Sequence, residues 1–347
     1  MTRPLRNILL IIFITVIFIE ITSTFILKIN FFKSLNHSFL TFSFTEIDKN
    51  NFMNLKKNVS FKSNFEIYTD SNRLRVKIKN FDNQLDSDNP KVIFLGDSVP
   101  FGWGVDYDQS IAGYFDKIND DFQTINASVP SYTPKQSITK FTNEFSKVEN
   151  LKYIYISNFN PLDLYLIFGK KWDDNLNWTN YIHYFSKDLF FFKYKSIPFW
   201  GEINFFKILR KIYVTKIFQF SQKKEYERTE ISDKNFINYY TNQLNRLEEL
   251  NLENTKIFFT PILTPLNLKN KDEIFNKIEK EKLNLINKIN LNLQKLDSKN
   301  LIFLDLVSLM KDYKIDEVFI DDCCHLSPFG AKKIADHINK IISVNNL

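Results

Sequence analysis

The chain has 347 residues, of which 44% are hydrophobic and 25% charged, a composition typical of a folded protein with a sizeable core rather than a disordered one. Its 46 basic and 40 acidic residues give a net charge of +6. These charges form no basic block, which argues against a nucleic-acid-binding protein. The only two cysteines, Cys323 and Cys324, are adjacent, so they cannot build a disulfide framework and would chelate a metal poorly.

An apolar segment opens the chain. Residues 8–19 carry no charge, and the wider stretch 8–27 is about 20 residues long, enough to cross a bilayer. Arg3 and Arg6 precede it, so the positive-inside rule predicts a cytoplasmic N-terminus and a domain on the other side. We therefore predict an uncleaved membrane anchor within residues 1–28; a cleaved signal peptide and a buried core helix are the alternatives.

A tether and then an alternating pattern follow the apolar segment. Residues 29–88 are polar and predict a tether with one short β element at 65–79. Strand-like runs then occur at 91–95, 124–126, 152–157, 256–260 and 301–305. Helix-like runs occur near 111–118, 135–148, 235–251, 272–296 and 328–342, with Asp233 as an N-cap of the third.

The strand-like runs lack polar alternation and are separated by helices, which predicts a parallel sheet covered on both faces. We therefore predict a doubly wound α/β domain with a five-stranded parallel sheet over residues 89–347, interrupted by an insertion at about 164–234. In such sheets ligands bind at the carboxyl ends of the strands, so the loops after strands are the places to search for a site.

The first informative loop is Gly96-Asp97-Ser98, directly after the opening strand. A serine at a strand-to-helix turn places its Oγ beside exposed backbone N–H groups. The alternative is that Asp97 or Ser98 only caps the next helix. Pro100 replaces the second glycine of the Gly-x-Ser-x-Gly elbow, and no Gly-Lys-Ser/Thr phosphate loop is present.

The second informative loop contains Asp322 and His325, between the last strand and the last helix. A serine nucleophile needs an adjacent base that is oriented by a third group. Of the four histidines, only His325 combines such a position with a nearby carboxylate, and we expect Asp322 to orient its ring. The alternative is that this Asp-x-x-His is a surface helix cap.

Together these two loops resemble the first and last sequence blocks of the SGNH (GDSL-type) hydrolase superfamily. The resemblance covers about residues 90–160 and 235–343, including the flanking stretches 93–105 and 325–335. It implies a flavodoxin-like three-layer α/β/α sandwich, with Ser98 as nucleophile, His325 as general base and Asp322 as the orienting carboxylate.

The family's two middle blocks, which supply the oxyanion hole, are altered in this chain. Ser131 stands where the family has a glycine after the second strand, and no Gly-x-Asn-Asp follows the third strand. The resemblance implies an oxyanion hole formed by the Ser98 N–H, the Ser131 N–H and the Asn160 side chain, with Asn158 as the alternative to Asn160. Loss of one such donor typically costs ~10²–10³ in rate.

The insertion at 164–234 is dense in aromatic residues. One interpretation is a lid or acyl-binding wall near the active-site rim that touches a membrane surface. The other is a packed helical cap whose aromatic residues form its own small core. Cys323 and Cys324 likewise have two interpretations, a redox switch beside the base or simple packing in a tight loop.

These features predict a serine esterase or acyl hydrolase that acts on ester-linked acyl groups, such as O-acetyl groups of envelope glycans, without a metal or organic cofactor. We expect a single-pass protein of a bacterial inner membrane with its catalytic domain in the periplasm. An O-acyltransferase acting on a cell-surface polysaccharide is the nearest alternative. A catalytically silent envelope scaffold is the other.

Overall fold

The computed structural model describes residues 3–26, 44–48, 52–62, 64–83, 85, 87–130, 132–157, 233–250, 252, 254–269, 277–296 and 298–344. The predictions made for Ser131, Asn158, Asn160 and almost all of the insertion at 164–234 therefore lie outside the described residues. The chain divides into two units. One comprises Met1–Ser43 and Ile167–Glu230, and the other comprises Phe44–Leu166 and Ile231–Leu347.

In the first unit, helix α1 spans Arg3–Ile26. Its long run of isoleucine, leucine and phenylalanine contains no glycine and no proline beyond the first turn, so nothing in the sequence interrupts the helix. The predicted transmembrane helix is not found: within the described part of the chain, no helix has both the length and the apolarity needed to cross a membrane.

The described residues of the second unit form two β-sheets. A two-stranded sheet pairs β1 with β2, and an eight-stranded sheet has the order β10-β9-β8-β6-β7-β5-β4-β3. The strands are β1 Thr45–Asp48, β2 Phe52–Leu55, β3 Ser60–Lys62, β4 Glu66–Thr69, β5 Arg75–Val76, β6 Lys91–Gly96, β7 Gln123–Asn126, β8 Leu151–Ser157, β9 Lys256–Phe259 and β10 Leu301–Phe303.

Helices connect most of the later strands. They are α2 Ser98–Phe101, α3 Ile111–Ile118, α4 Pro134–Lys140, α5 Asp233–Glu248, α6 Pro265–Leu268, α7 Lys277–Leu293, α8 Leu306–Met310, α9 Ile315–Val318 and α10 Pro328–Val344. A 3₁₀ turn at Tyr107–Gln109 precedes α3, and a π turn at Phe141–Phe145 ends α4.

Five strands of the large sheet are parallel, with the order β7-β6-β8-β9-β10. Numbered along the chain, this is the order 2-1-3-4-5 of flavodoxin-like sheets. The first parallel strand along the chain, β6, lies second in this order. The next strand, β7, is added on one side of it and β8 on the other, so the carboxyl ends of β6 and β8 lie side by side. Such a switch point is where α/β proteins form binding sites.

The sheet extends further toward the N-terminus than the sequence predicted. Strands β3, β4 and β5, which lie inside the predicted tether, join the large sheet as antiparallel strands, and Arg75 of β5 pairs with Asn126 of β7. The unit that carries the large sheet accordingly begins at Phe44 rather than at residue 89. Strands β4 and β5 lie within the β element predicted at 65–79, whereas β3 precedes it and, at three residues, is too short to show an alternating pattern.

The central strands β6 and β8 of the large sheet are buried on both faces, as strands without polar alternation require. Val92 and Phe94 of β6 pack in one apolar cluster with α3 and α10. The alternate residues Ile93 and Leu95 pack in a second cluster with α4, α5 and α7. The described part of this unit is therefore a mixed α/β structure with helices on both sides of a mostly parallel sheet.

The end of β6 requires a glycine. Gly96 has a φ of +143°, and a Cβ built there would lie 1.8 Å from the backbone oxygen of Ser157 at the end of β8. The two strand ends approach so closely that no side chain fits between them. This contact determines where the next residues, Asp97 and Ser98, leave the sheet.

We therefore predict that Gly96→Ala lowers the free energy of unfolding by at least about 3 kcal/mol, through both the clash with backbone and the unfavourable φ. Urea denaturation followed by circular dichroism measures the loss. Gly104→Ala is the matched control, because its φ is +85° and its added Cβ would meet only the Ile320 side chain. Its cost should be about 1–2 kcal/mol. Equal losses in the two variants would contradict the assigned contact.

Candidate active site

Ser98 lies at the turn between β6 and α2. The Asp97 side chain caps α2 by accepting a hydrogen bond from the Val99 N–H at 2.9 Å. The capping role, which the sequence left open between Asp97 and Ser98, therefore belongs to Asp97. Ser98 is the first residue of α2, and its hydroxyl is available for another partner.

That partner is His325. Its Nε2 lies 2.9 Å from the Ser98 Oγ, so the structure brings together the two residues that sequence analysis selected as nucleophile and base. His325 follows α9 and precedes α10, in the loop that sequence analysis selected. The Trp103 ring lies beside the imidazole, with 6.2 Å between ring centroids.

The carboxylate at His325 is Asp321, which corrects the prediction of Asp322. The Asp321 Oδ2 is hydrogen-bonded to the His325 Nδ1. Asp322 is exposed. Two adjacent aspartates precede the histidine, and the sequence spacing alone did not indicate which of them faces the ring.

Backbone hydrogen bonds explain why Asp321 is the one that faces it. The other carboxylate oxygen, Oδ1, accepts from the N–H groups of Cys323, Cys324 and His325, at 3.0, 3.2 and 3.2 Å. These three bonds curl the chain around the Asp321 carboxylate. The resulting turn brings His325, four residues after Asp321, close to the Asp321 carboxylate, so this side chain reaches the His325 ring.

The electrostatics of Asp321 fit this arrangement. Burial raises the pKa of its carboxyl. The hydrogen bond and charge of His325, with the N–H groups of His325 and Cys324, lower this pKa by more than burial raises it, so the net pKa lies below the ordinary value. Asp321 is therefore ionised at neutral pH and can only accept hydrogen bonds. It follows that the His325 Nδ1 carries a proton toward Asp321, and that Nε2 is left to accept from the Ser98 hydroxyl.

Backbone contacts join the two ends of the loop that carries His325. Phe319 and Leu326 form an isolated antiparallel bridge, and the Ile320 N–H donates to the His325 carbonyl at 2.9 Å. Ser327 then leads into α10, with its Oγ accepting from the Gly330 N–H at 3.1 Å. The histidine is thereby held between a closed turn and the start of a helix that packs on the sheet.

A buried arginine, which sequence analysis missed, holds the loop that follows Ser98. The Arg75 guanidinium donates to the carbonyls of Phe101, Gly102 and Val105, the last two at 2.7 Å, and its plane lies 4.7 Å from the Phe101 ring centroid. It also donates to the Glu66 carbonyl at 3.2 Å. Burial lowers the pKa of Arg75 to about 10, so it stays charged at neutral pH.

Among the described residues no carboxylate lies within ion-pair distance of Arg75, so its direct partners are backbone carbonyls. The same loop carries Trp103 against His325, so Arg75 contributes to the position of one wall of the site. The signal that could have revealed it was an arginine between two apolar residues, Leu74 and Val76, in a strand-like segment.

Of the predicted oxyanion donors, only the Ser98 N–H is described. As the first residue of α2, its N–H has no acceptor within the helix, which leaves it available to a ligand. Ser131, Asn160 and the alternative Asn158 lie outside the described residues.

Taken together, the three described side chains can move a proton. The Ser98 hydroxyl can pass its proton to the His325 Nε2, and the ionised Asp321 stabilises the imidazolium that forms.

No family model and no curated protein matches the sequence. Solved structures with a similar fold include a member of the lipolytic protein G-D-S-L family from Veillonella parvula, at 11% identity and a TM-score of 0.42, which covers 73% of this chain and 98% of that one. A lipase from a goat rumen metagenome has 13% identity and a TM-score of 0.43, covering 72% and 96%. A Clostridium thermocellum family 3 carbohydrate esterase has 14% identity and a TM-score of 0.38, covering 74% and 96%. At such low values this likeness carries no statement about activity.

The geometry predicts that Asp321→Asn slows reaction of Ser98 with a fluorophosphonate probe on the order of 10²-fold or more, because an amide neither fixes the tautomer nor stabilises the imidazolium. Asp322→Asn is the matched control. It should change the rate by about twofold or less, as expected for an exposed substitution. Labelling rates of the two variants are measured by stopping the reaction with the probe at a series of times. If Asp322→Asn is the slower variant, the assignment of Asp321 is wrong.

Proposed function

We propose that the chain is a serine hydrolase of the SGNH type that cleaves ester-linked acyl groups. The observation that carries the proposal is the continuous hydrogen-bonded series from Ser98 through His325 to Asp321. Hydroxyl, imidazole and carboxylate in this order are the parts that activate a serine on many unrelated folds. The sequence resemblance on Gly96-Asp97-Ser98 and on the block around His325 supports the same conclusion.

In the proposed reaction, the Ser98 Oγ attacks the ester carbonyl while His325 Nε2 takes the hydroxyl proton. The C–O bond to the leaving alcohol then breaks, and the imidazolium returns the proton to that alcohol. In the second half of the reaction water attacks the acyl-enzyme while His325 again accepts a proton. The bond between the acyl carbon and the Ser98 Oγ then breaks, the imidazolium returns the proton to this Oγ, and the carboxylic acid is released. Asp321 keeps the ring oriented in both halves and remains ionised.

The oxyanion hole is a separate part of the proposal. The Ser98 N–H is one donor, and we propose the Ser131 N–H and the side chain of Asn160, or alternatively Asn158, as the others. A tetrahedral intermediate places negative charge on the former carbonyl oxygen, and donors directed at that oxygen typically contribute more than any other single group. For the substrate we propose small O-acyl groups, such as acetyl esters on envelope glycans.

The test of the proposed function is covalent labelling of the full chain with a fluorophosphonate probe, followed by hydrolysis of p-nitrophenyl esters of increasing acyl length. Wild-type protein should label on one serine and hydrolyse the acetyl ester. Ser98→Ala should lose both properties, and His325→Ala should slow both by on the order of 10³-fold or more. Peptide mapping identifies the labelled residue.

Ser308→Ala is a suitable control for these measurements, since Ser308 is an exposed residue of α8 whose N–H bonds to the Asp305 side chain. It should label like the wild type. A folded wild-type chain that takes no probe would overturn the proposal and favour the catalytically silent scaffold. Labelling that survives Ser98→Ala would place the nucleophile elsewhere. Transfer of the acyl group to an added glycan, in preference to water, would identify the chain as an O-acyltransferase.

We also propose that the protein is attached to a bacterial inner membrane through residues 1–28, with the second unit in the periplasm. Supporting this, α1 exposes a run of large apolar side chains, which comprises Leu10, Ile11, Phe13, Ile14, Val16, Ile17, Phe18 and Ile21. An exposed apolar surface of this extent requires a covering, and a lipid bilayer supplies one.

Cell fractionation of the full chain tests this location. The protein should sediment with membranes and resist extraction by high salt, and protease added to the periplasm should digest it. A variant lacking residues 1–28 serves as the control and should move to the soluble fraction. Full-length protein in the soluble fraction, or protected from periplasmic protease, would contradict the proposed location.

A further inference from the structure

Two thiols lie within the loop that orients His325. Cys323 and Cys324 occupy the positions between Asp321 and the histidine, and their sulfur atoms are 3.0 Å apart. Neither sulfur is bound in a disulfide in this structure. The sulfur contact is closer than ordinary packing between two sulfur atoms, so the loop holds both thiols in position to interact directly.

The two thiols differ in their surroundings. Cys323 is partly exposed, whereas Cys324 is buried in the apolar cluster beneath α10. The hydrogen bond with Cys323, together with burial, raises the pKa of the Cys324 thiol. A dissolved oxidant therefore meets Cys323 first, and Cys324 stands behind it as the neighbour that can complete a disulfide.

The backbone between the thiols is also the backbone that holds the orienting carboxylate. The N–H groups of Cys323, Cys324 and His325 all donate to the Asp321 Oδ1. The peptide N–H of Cys324 belongs to the bond that links the two cysteines. Distortion of that peptide turns the Cys324 N–H away from the Asp321 Oδ1 and weakens the hydrogen bond between them.

A disulfide between neighbouring residues strains the peptide that links them. Consecutive Cα atoms are 3.80 Å apart across a trans peptide, while the Cα atoms of a disulfide usually lie 4.4–6.8 Å apart, as general values for proteins. Closing the small ring therefore distorts the linking peptide and its flanking dihedral angles, and with them the direction of the Cys324 N–H. The Asp321 carboxylate would then lose its backbone support and its alignment with the His325 Nδ1.

We propose that Cys323 and Cys324 form an oxidation site at which a hydroperoxide converts the two thiols into a disulfide, and that this disulfide slows the serine by releasing Asp321 from His325. The second half of this statement rests on the proposed function. The site therefore adds redox control to the proposed hydrolase.

The chemistry balances in two steps. The Cys323 sulfur attacks the peroxide, an S–O bond forms, the O–O bond breaks, and one water (or alcohol) leaves, which produces a sulfenic acid. The Cys324 sulfur then attacks the Cys323 sulfur, an S–S bond forms, the S–O bond breaks, and the departing hydroxide leaves as water with the Cys324 proton. Overall the thiols lose two electrons and two protons, and the peroxide is reduced.

The experiment treats the full chain with hydrogen peroxide and follows two quantities. Intact mass and iodoacetamide alkylation report the thiols, and the fluorophosphonate labelling rate reports Ser98. Oxidised protein should lose two hydrogens in mass and take no alkylation, and its labelling rate should fall at least about tenfold. Dithiothreitol should reverse all three changes. This reversal distinguishes a disulfide, which the reagent reduces, from oxidised methionine, which it leaves unchanged.

Each cysteine variant is compared with its own untreated form, so its basal rate does not enter the result. Cys323→Ser and Cys324→Ala should show no dithiothreitol-reversible loss of labelling. Thiols that stay open to alkylation after peroxide overturn the oxidation site. A disulfide that forms while the labelling rate is unchanged overturns the link to Asp321. If untreated protein takes no probe, the proposed function fails, and the mass measurement alone still decides whether the disulfide forms.

Discussion

The hydrogen bond between Ser98 and His325 joins residues 227 positions apart in the chain, and the remaining features of the site support it. The parallel sheet supplies one half of this contact by bringing the ends of β6 and β8 together at Gly96, where no side chain fits. The other half comes from α10, whose packing on the same sheet places the preceding loop at its carboxyl edge. A serine and a histidine so distant in sequence meet because both are attached to one rigid layer, at the edge where doubly wound proteins form their sites.

Each of the two loops that meet at the site is organised around one charged side chain with backbone partners. Asp321 accepts three N–H groups of its own turn, and Arg75 donates to carbonyls of the turn after Ser98. Arg75 is buried and Asp321 is partly exposed, and in both loops hydrogen bonds with backbone groups reduce the cost of withdrawing the charge from water. An unsatisfied backbone group costs about 1–3 kcal/mol. Each ion and its loop therefore stabilise each other: the loop solvates the ion, and the ion fixes the loop. The Trp103 ring, held by the second loop, then packs beside the histidine that the first loop orients.

Sequence reasoning located the strands and the two reacting groups, because these leave local signals. Continuous apolar runs mark buried parallel strands, and the strands at β6, β8 and β9 start and end within about two residues of their predicted positions. The loop after β6 contains Ser98, and the loop before the last helix contains His325. Strands β4 and β5 lie within the β element predicted at 65–79, but β3 was absent from the prediction because three residues are too few to show a period. Arg75 was missed for a related reason, since its partners are carbonyls more than twenty-five residues away and no pattern along the chain connects them.

The sequence by itself determined an α/β domain with a parallel sheet, a serine at the end of its first parallel strand, and a histidine before its last helix. It determined these because burial of both faces of a sheet restricts the type of residue at every position of a strand. Only the tertiary structure decided that Asp321 rather than Asp322 faces the imidazole, that Asp97 caps α2, and that the segment after Phe44 completes the sheet. Those choices depend on which backbone groups converge in space, and neighbouring residues of the same type are equivalent until the chain has folded around them.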